Sequence, residues 1–139
     1  MTTTMLQAKQ AIEGLFVSSW TGTSLDNVRF ENVQFTPPDN EYWVSLDIVY
    51  SNSSNSAIHA TLDTRRNGFI IVDVYGPPDE GSNNILALLE EVTEIYENKQ
   101  FSGINTYATR PRHIGINNTQ GSDALWYIYR VSIPFYYYT

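Results

Sequence analysis

Side chains able to do chemistry are few in this chain and far apart. Its histidines are His59 and His113, and it has no cysteine. Disulfides, thiolate metal sites and cysteine nucleophiles are therefore excluded. A metal site would need both histidines to converge with Asp63 or Asp73, and the His59…Asp63 spacing matches no metal signature. Partly buried, hydrogen-bonded histidines are the plainer reading. No G-x-S-x-G elbow marks a serine nucleophile. Gly81-Ser82 precedes a helical pattern, and such a terminus can cradle a phosphate through backbone N–H groups. Here no lysine or second glycine supports it and Asp79-Glu80 would repel an anion, so Ser82 reads as a helix cap. Asp47 and Asp73 fall mid-strand, opposite an apolar face, and the simple reading is that their face is wet. The tyrosine-rich runs Trp126–Tyr129 and Phe135–Tyr138 have the ring faces that stack on bases or sugars. They lack interleaved basic residues, and tyrosines also favour protein interfaces, where one end is apolar and the other polar. An interface is the preferred reading.

Composition narrows the classes further. At 139 residues, 42% hydrophobic and 14% aromatic, the chain reads as one domain over residues 1–139, with enough apolar mass for a real core. Charged residues make up 17%, against about 25% in ordinary domains, and ten tyrosines with many Asn, Ser and Thr stand in for them. Such a weakly charged polar surface suits contact with other protein. A net charge of −7 opposes gripping nucleic acid, which needs clustered Lys and Arg. Lys9 and Lys99 stand alone, whereas the arginines pair at Arg65-Arg66 and Arg110-Pro111-Arg112. The first ten residues lack a basic segment followed by an apolar one, so no signal peptide is expected. No apolar run approaches the roughly 18 residues of a membrane span. The expected product is soluble and intracellular.

The elements that would position these residues follow from periodicity. Thr4 and Gln7 fit a capping box, and Ile12, Leu15 and Phe16 recur at helical spacing, which predicts a first helix over Met5–Ser19. Val28–Phe35 reads as a strand or extended arm that stops at Thr36-Pro37-Pro38-Asp39. Tyr42–Tyr50 is a clearer strand, with Val44, Leu46, Ile48 and Tyr50 on one face and Ser45 and Asp47 on the other. Ser51–Ser56 reads as a polar tip. His59–Thr64 predicts another strand, turning at Arg66-Asn67-Gly68, because Asn-Gly suits a type I′ hairpin. Phe69–Tyr75 then places Ile70, Val72 and Val74 on one face. After the Gly76–Gly81 elbow, Ile85, Leu88, Leu89, Val92, Ile95 and Tyr96 form the apolar stripe of a second helix. Glu90, Glu91, Glu94 and Glu97 form its wet side. Ile104–Thr109, Arg112–Asn117 and Ala124–Phe135 predict three more strands, broken at Arg110-Pro111 and at 117–121. Helix, strands, helix, strands, joined by hairpins, gives an α+β fold with a mainly antiparallel β-sheet and two helices packed on it.

Several segments together resemble one family: Phe30–Val33 with Phe35–Pro38, Trp43-Val44, Arg66-Asn67-Gly68, and Val74–Pro77 leading through Gly81 into the second helix. Gly103-Ile104 and Trp126–Phe135 complete the pattern. In this order and spacing they resemble the tail terminator family, small tail-completion proteins of long-tailed bacteriophages. The resemblance implies a structural virion protein without catalysis or cofactor, assembled in the host cytoplasm and resident in the tail or neck. It implies a hexameric ring that caps the tail tube protein, ends tube growth and joins the head–tail connector protein, while DNA passes through without specific binding. A heterologous interface that closes into a ring ends growth, whereas one that does not close builds a filament. The family supplies no catalytic residues. By their chemistry, Arg65, Arg66, Arg110 and Arg112, at or near turns, could pair with acidic patches on a neighbouring subunit, and Tyr136, Tyr137 and Tyr138 could pack across the boundary. Exposed loop ends without a role are the alternative. Rival readings are a head-completion or minor tail protein and, in another class, a small ligand-binding α+β domain using His59, Asp73 and the aromatic face.

Overall fold

The computed structural model describes residues 3–55, 64–118 and 124–139. Helix α1 spans Met5–Ser19, with the expected bounds. Thr4 Oγ1 accepts the Gln7 N–H at 3.1 Å and Gln7 Oε1 accepts the Thr4 N–H at 3.0 Å, closing the capping box. A 3-10 turn at Leu25–Asn27 leads into strand β1, Val28–Phe30. The expected run to Phe35 stops there. Asn32 takes φ 56, and Phe35 packs on Trp43 with ring centroids 5.1 Å apart. Then follow β2 (Trp43–Asn55), β3 (Thr64–Gly76), α2 (Asn83–Tyr96), β4 (Gln100–Phe101), β5 (Ile104–Thr106), β6 (Arg110–Asn118) and β7 (Leu125–Tyr138).

The strands form one seven-stranded sheet in the order β1-β2-β3-β7-β5-β4. Strand β6 pairs the first part of β7, and β5 pairs its end. Among the described residues only β1 and β2 run parallel; the other pairs are antiparallel. The fold is α+β, with both helices on one face of the sheet. That inner face contributes Val44, Leu46, Ile70, Val72, Val74, Val131, Ile133 and Phe135 to a core closed by Ala8, Ile12 and Phe16 of α1 and Ile85, Leu89, Val92 and Tyr96 of α2. The Tyr96 hydroxyl ties the helices together by donating to the Ile12 carbonyl at 2.6 Å. No helix among the described residues is long and apolar enough to cross a membrane.

The strand expected over Ile104–Thr109 ends at Thr106, and three further local expectations fail because pairing overrides a local signal. Arg66-Asn67-Gly68 is not a hairpin turn. It lies within β3, where Gly68 faces Tyr50 on one side and Phe135 on the other, and neither Asn67 nor Gly68 has positive φ. Thr64 opens β3, and the rest of the strand expected over His59–Thr64 lies outside the described residues. The Ser51–Ser56 tip is strand as far as Asn55, after a register shift between Tyr50 and Asn52 that marks a bulge. Arg110-Pro111, expected as a break, begins β6.

On the outer face, away from the helices, a second apolar cluster joins Trp43, Tyr75, Trp126 and Ile128, backed by Phe35 and Ile114. Trp43 stacks on Tyr75 at 3.7 Å between centroids and meets Trp126 edge-on at 5.8 Å. Among the described residues both indole N–H groups are buried without an acceptor, so the tryptophans are held by packing, while the Tyr75 hydroxyl accepts from Ser45 Oγ at 3.4 Å.

Candidate functional site

Among the described residues no helix covers the outer face of the sheet, and beyond the aromatic cluster the face has an ordered charge pattern. One register row crosses β1, β2, β3, β7 and β6 as Arg29, Ser45, Asp73, Arg130 and Arg112. The next row carries Asp47, Ile71, Ser132 and Arg110, and a third Val49, Phe69 and Pro134. Alternation along a strand puts every second side chain on this face, so the arrangement is fixed by register and does not depend on loops.

Asp73 and Arg130 form a bidentate pair, Nε to Oδ1 at 2.8 Å and Nη2 to Oδ2 at 3.1 Å. The Asp73 hydrogen bonds hold the Arg130 guanidinium above its ordinary pKa. Burial pushes the neighbouring Tyr75 phenol up. Asp73 is only 7% exposed, so the wet face expected for it is wrong at this position, where the Arg130 guanidinium takes up its carboxylate. Arg29 is held by Asp47 at 3.0 Å. Opposite charges one strand apart stabilise the row, while Arg112 directly opposite Arg130 is an unfavourable like-charge neighbour. Arg112 has no carboxylate partner among the described residues, and Arg110 lies over the Phe69 ring at 5.7 Å.

At the far end, Arg65 stacks over Tyr136 at 3.9 Å and donates to the Tyr107 hydroxyl at 3.0 Å and to Asn67 Oδ1 at 2.9 Å. Tyr138 meets Tyr136 edge-on. The fold therefore gathers Arg65, Arg110, Arg112, Tyr136 and Tyr138 on a single face. Two expected members are elsewhere. Arg66 points to the inner side, where it donates to Ser53 Oγ at 2.9 Å. Tyr137 is fully buried and hydrogen-bonded to the Tyr50 hydroxyl at 2.8 Å, so it offers nothing to a partner. The tyrosines are not a tail beyond the last strand but its final residues, and parity in β7 separates Tyr137 from its neighbours. Arg29, Arg130 and Tyr107 were missed. For Arg130 the signal was available, since it shares its parity with Tyr136 and Tyr138.

The remaining candidates do not converge. His113 sits on the opposite side of the sheet from Asp73, between Tyr127 and Tyr129 at 5.5 and 5.1 Å. His59 and Asp63 lie outside the described residues. Among the described residues no group of three His, Cys, Asp or Glu is close enough to hold a metal. Ser82 occupies the cap position of α2 but makes no side-chain cap hydrogen bond.

The helix side carries the opposite charge. Glu90 and Glu94 are exposed, with no cationic partner among the described residues. Glu91 accepts from the Thr21 N–H at 2.6 Å and its hydroxyl at 3.1 Å. Glu97 accepts from the Thr109 N–H at 2.8 Å and its hydroxyl at 2.9 Å, and these bonds lower its pKa. A groove of about 820 Å³ runs beside α1 and α2, lined in part by Leu15, Ala87, Glu90, Glu91, Glu94 and Lys99.

Comparison with known proteins leaves the family open. No family model matches the chain, and no curated protein matches it. Among solved structures nine chains match. One of them, a protein designated only by a serial label, aligns with a TM-score of 0.58 over 96% of each chain at 18% identity. That likeness shows the fold alone.

Proposed function

We propose that this protein is a structural subunit of a phage tail. It closes into a ring on the end of the tail tube, stops tube growth and presents the joint to the head connector. The family reading rests on the sequence resemblance. The observation that carries the assembly reading is the segregation of charge between the sheet's open face and the helix layer. Every arginine except Arg66 lies on the outer face of the sheet or its edge, in a chain of net charge −7. Exposed glutamates lie on the helices behind it. A subunit whose front and back differ in this way associates front to back, and such contacts either close into a ring or run on as a filament. In this reading the virion partners are the tail tube protein and the connector, and DNA passes through the ring.

Native mass spectrometry of the purified protein tests the ring: six subunits are expected, and a monomer at tens of micromolar would reject it. Deleting the gene from a phage that carries it should yield overlong tails unjoined to heads. Tails of normal length would sink the terminator role.

A further inference from the structure

We infer that the outer sheet face of one copy docks against the helix layer of a second copy, with Arg110 and Arg112 opposite Glu90 and Glu94. This rests on the ring reading and names the surfaces that would make it. Within one copy, Arg29 and Arg130 are neutralised by Asp47 and Asp73. Arg110 and Arg112 have no carboxylate partner among the described residues. Among the described residues Glu90 and Glu94 pair with no cation, and Lys99 is the sole basic residue lining their groove, against three carboxylates. These surplus charges lie on opposite sides of the molecule, so no copy can bring its own together. Two copies can.

The spacing fits as well as the sign. Arg110 and Arg112 share the outer face of β6 two residues apart, or about 6.6 Å along a strand. Glu90 and Glu94 are four residues apart on α2, or about 6 Å along a helix. A helix lying along β6 meets both arginines at once. Beside the arginines the sheet presents Phe69, Ile71 and Val49, the last 47% exposed. The groove presents Leu15, Ala87, Ile95 and Phe101 beside its glutamates. An apolar patch flanked by complementary charge is the anatomy of a specific protein interface. Charge sets the partner and the register, and apolar burial supplies the affinity.

Two charge-reversal variants test this, R110E/R112E and E90R/E94R, each checked for folding by circular dichroism and thermal melting. Every substituted side chain is exposed, so folding should be unaffected. Alone, each variant juxtaposes like charges and should associate about a hundredfold more weakly than the natural chain, reading as a monomer in sedimentation velocity. Mixed in equal amounts, each variant meets its complement on both faces, and rings of alternating composition should return. If either folded variant alone still forms rings like the natural chain, or if the mixture stays monomeric, the pairing is wrong while the ring reading stands. If the natural chain is itself monomeric, both fall.

Discussion

A methyl group on Gly68 would sit 2.5 Å from the Val49 carbonyl oxygen and 2.9 Å from the Phe135 ring. The glycine is there for close approach and not for a turn. Tyr50 and Phe135, its partners on either side, close over the gap edge to face at 5.8 Å. Gly68→Ala should therefore cost about 1–3 kcal/mol, the usual range for overpacking, read as a lower urea midpoint with an unchanged slope. A smaller effect governs the end of α2. Thr109, chiefly through its backbone N–H, lowers the Glu97 pKa below the ordinary 4.5. A carboxylate whose pKa is depressed on folding stabilises fully above its unfolded value, and that stabilisation is lost as pH falls through the folded value. Glu97→Gln should thus lower the melting temperature at pH 7, and the difference from the natural chain should shrink at about pH 3. A difference equally large at both pH values would show that charge is not what Glu97 contributes.

At the scale of elements, the two helices show how much local chemistry can be read directly. The Thr4 cap makes both bonds of its box, and Thr4→Ala should cost about 1 kcal/mol. Ser82 occupies the corresponding position on α2 without a side-chain bond, so Ser82→Ala should cost less than about 0.3 kcal/mol, well below the loss of a bonded cap. Thermal melts of the two variants side by side check the contrast. Helix bounds were legible because α-helical hydrogen bonds are local and the apolar stripe repeats within a few residues. Strands were less so. Asn-Gly carries a strong hairpin preference, yet β3 runs straight through it because β2 and β7 pair it from both sides. Ser51–Asn55 has poor strand propensity and is strand for the same reason. In both places a partner remote in sequence outweighs what the local residues prefer.

For the whole molecule, a net charge of −7 conceals a face on which arginines predominate. If docking between copies relies on those charges, salt should weaken it. Going from about 0.1 M to about 1 M salt shortens the screening length from roughly 10 Å to roughly 3 Å. Light scattering should then show the assembly shifting toward monomer, whereas a constant mass would assign the contact to apolar burial alone. The sequence by itself determined the α+β class, both helices and the Thr4 capping box, the inner apolar face and the absence of thiol chemistry. Each follows from local periodicity or from composition. Only the tertiary structure decided which side chains share a surface. It drew Arg65, Arg110 and Arg112 together with Tyr136 and Tyr138, buried Tyr137, paired a buried Asp73 with Arg130, and turned Arg66 inward. The reason is register. A side chain's face is fixed by how its strand pairs with strands distant in the chain, and one residue of slip would exchange every face.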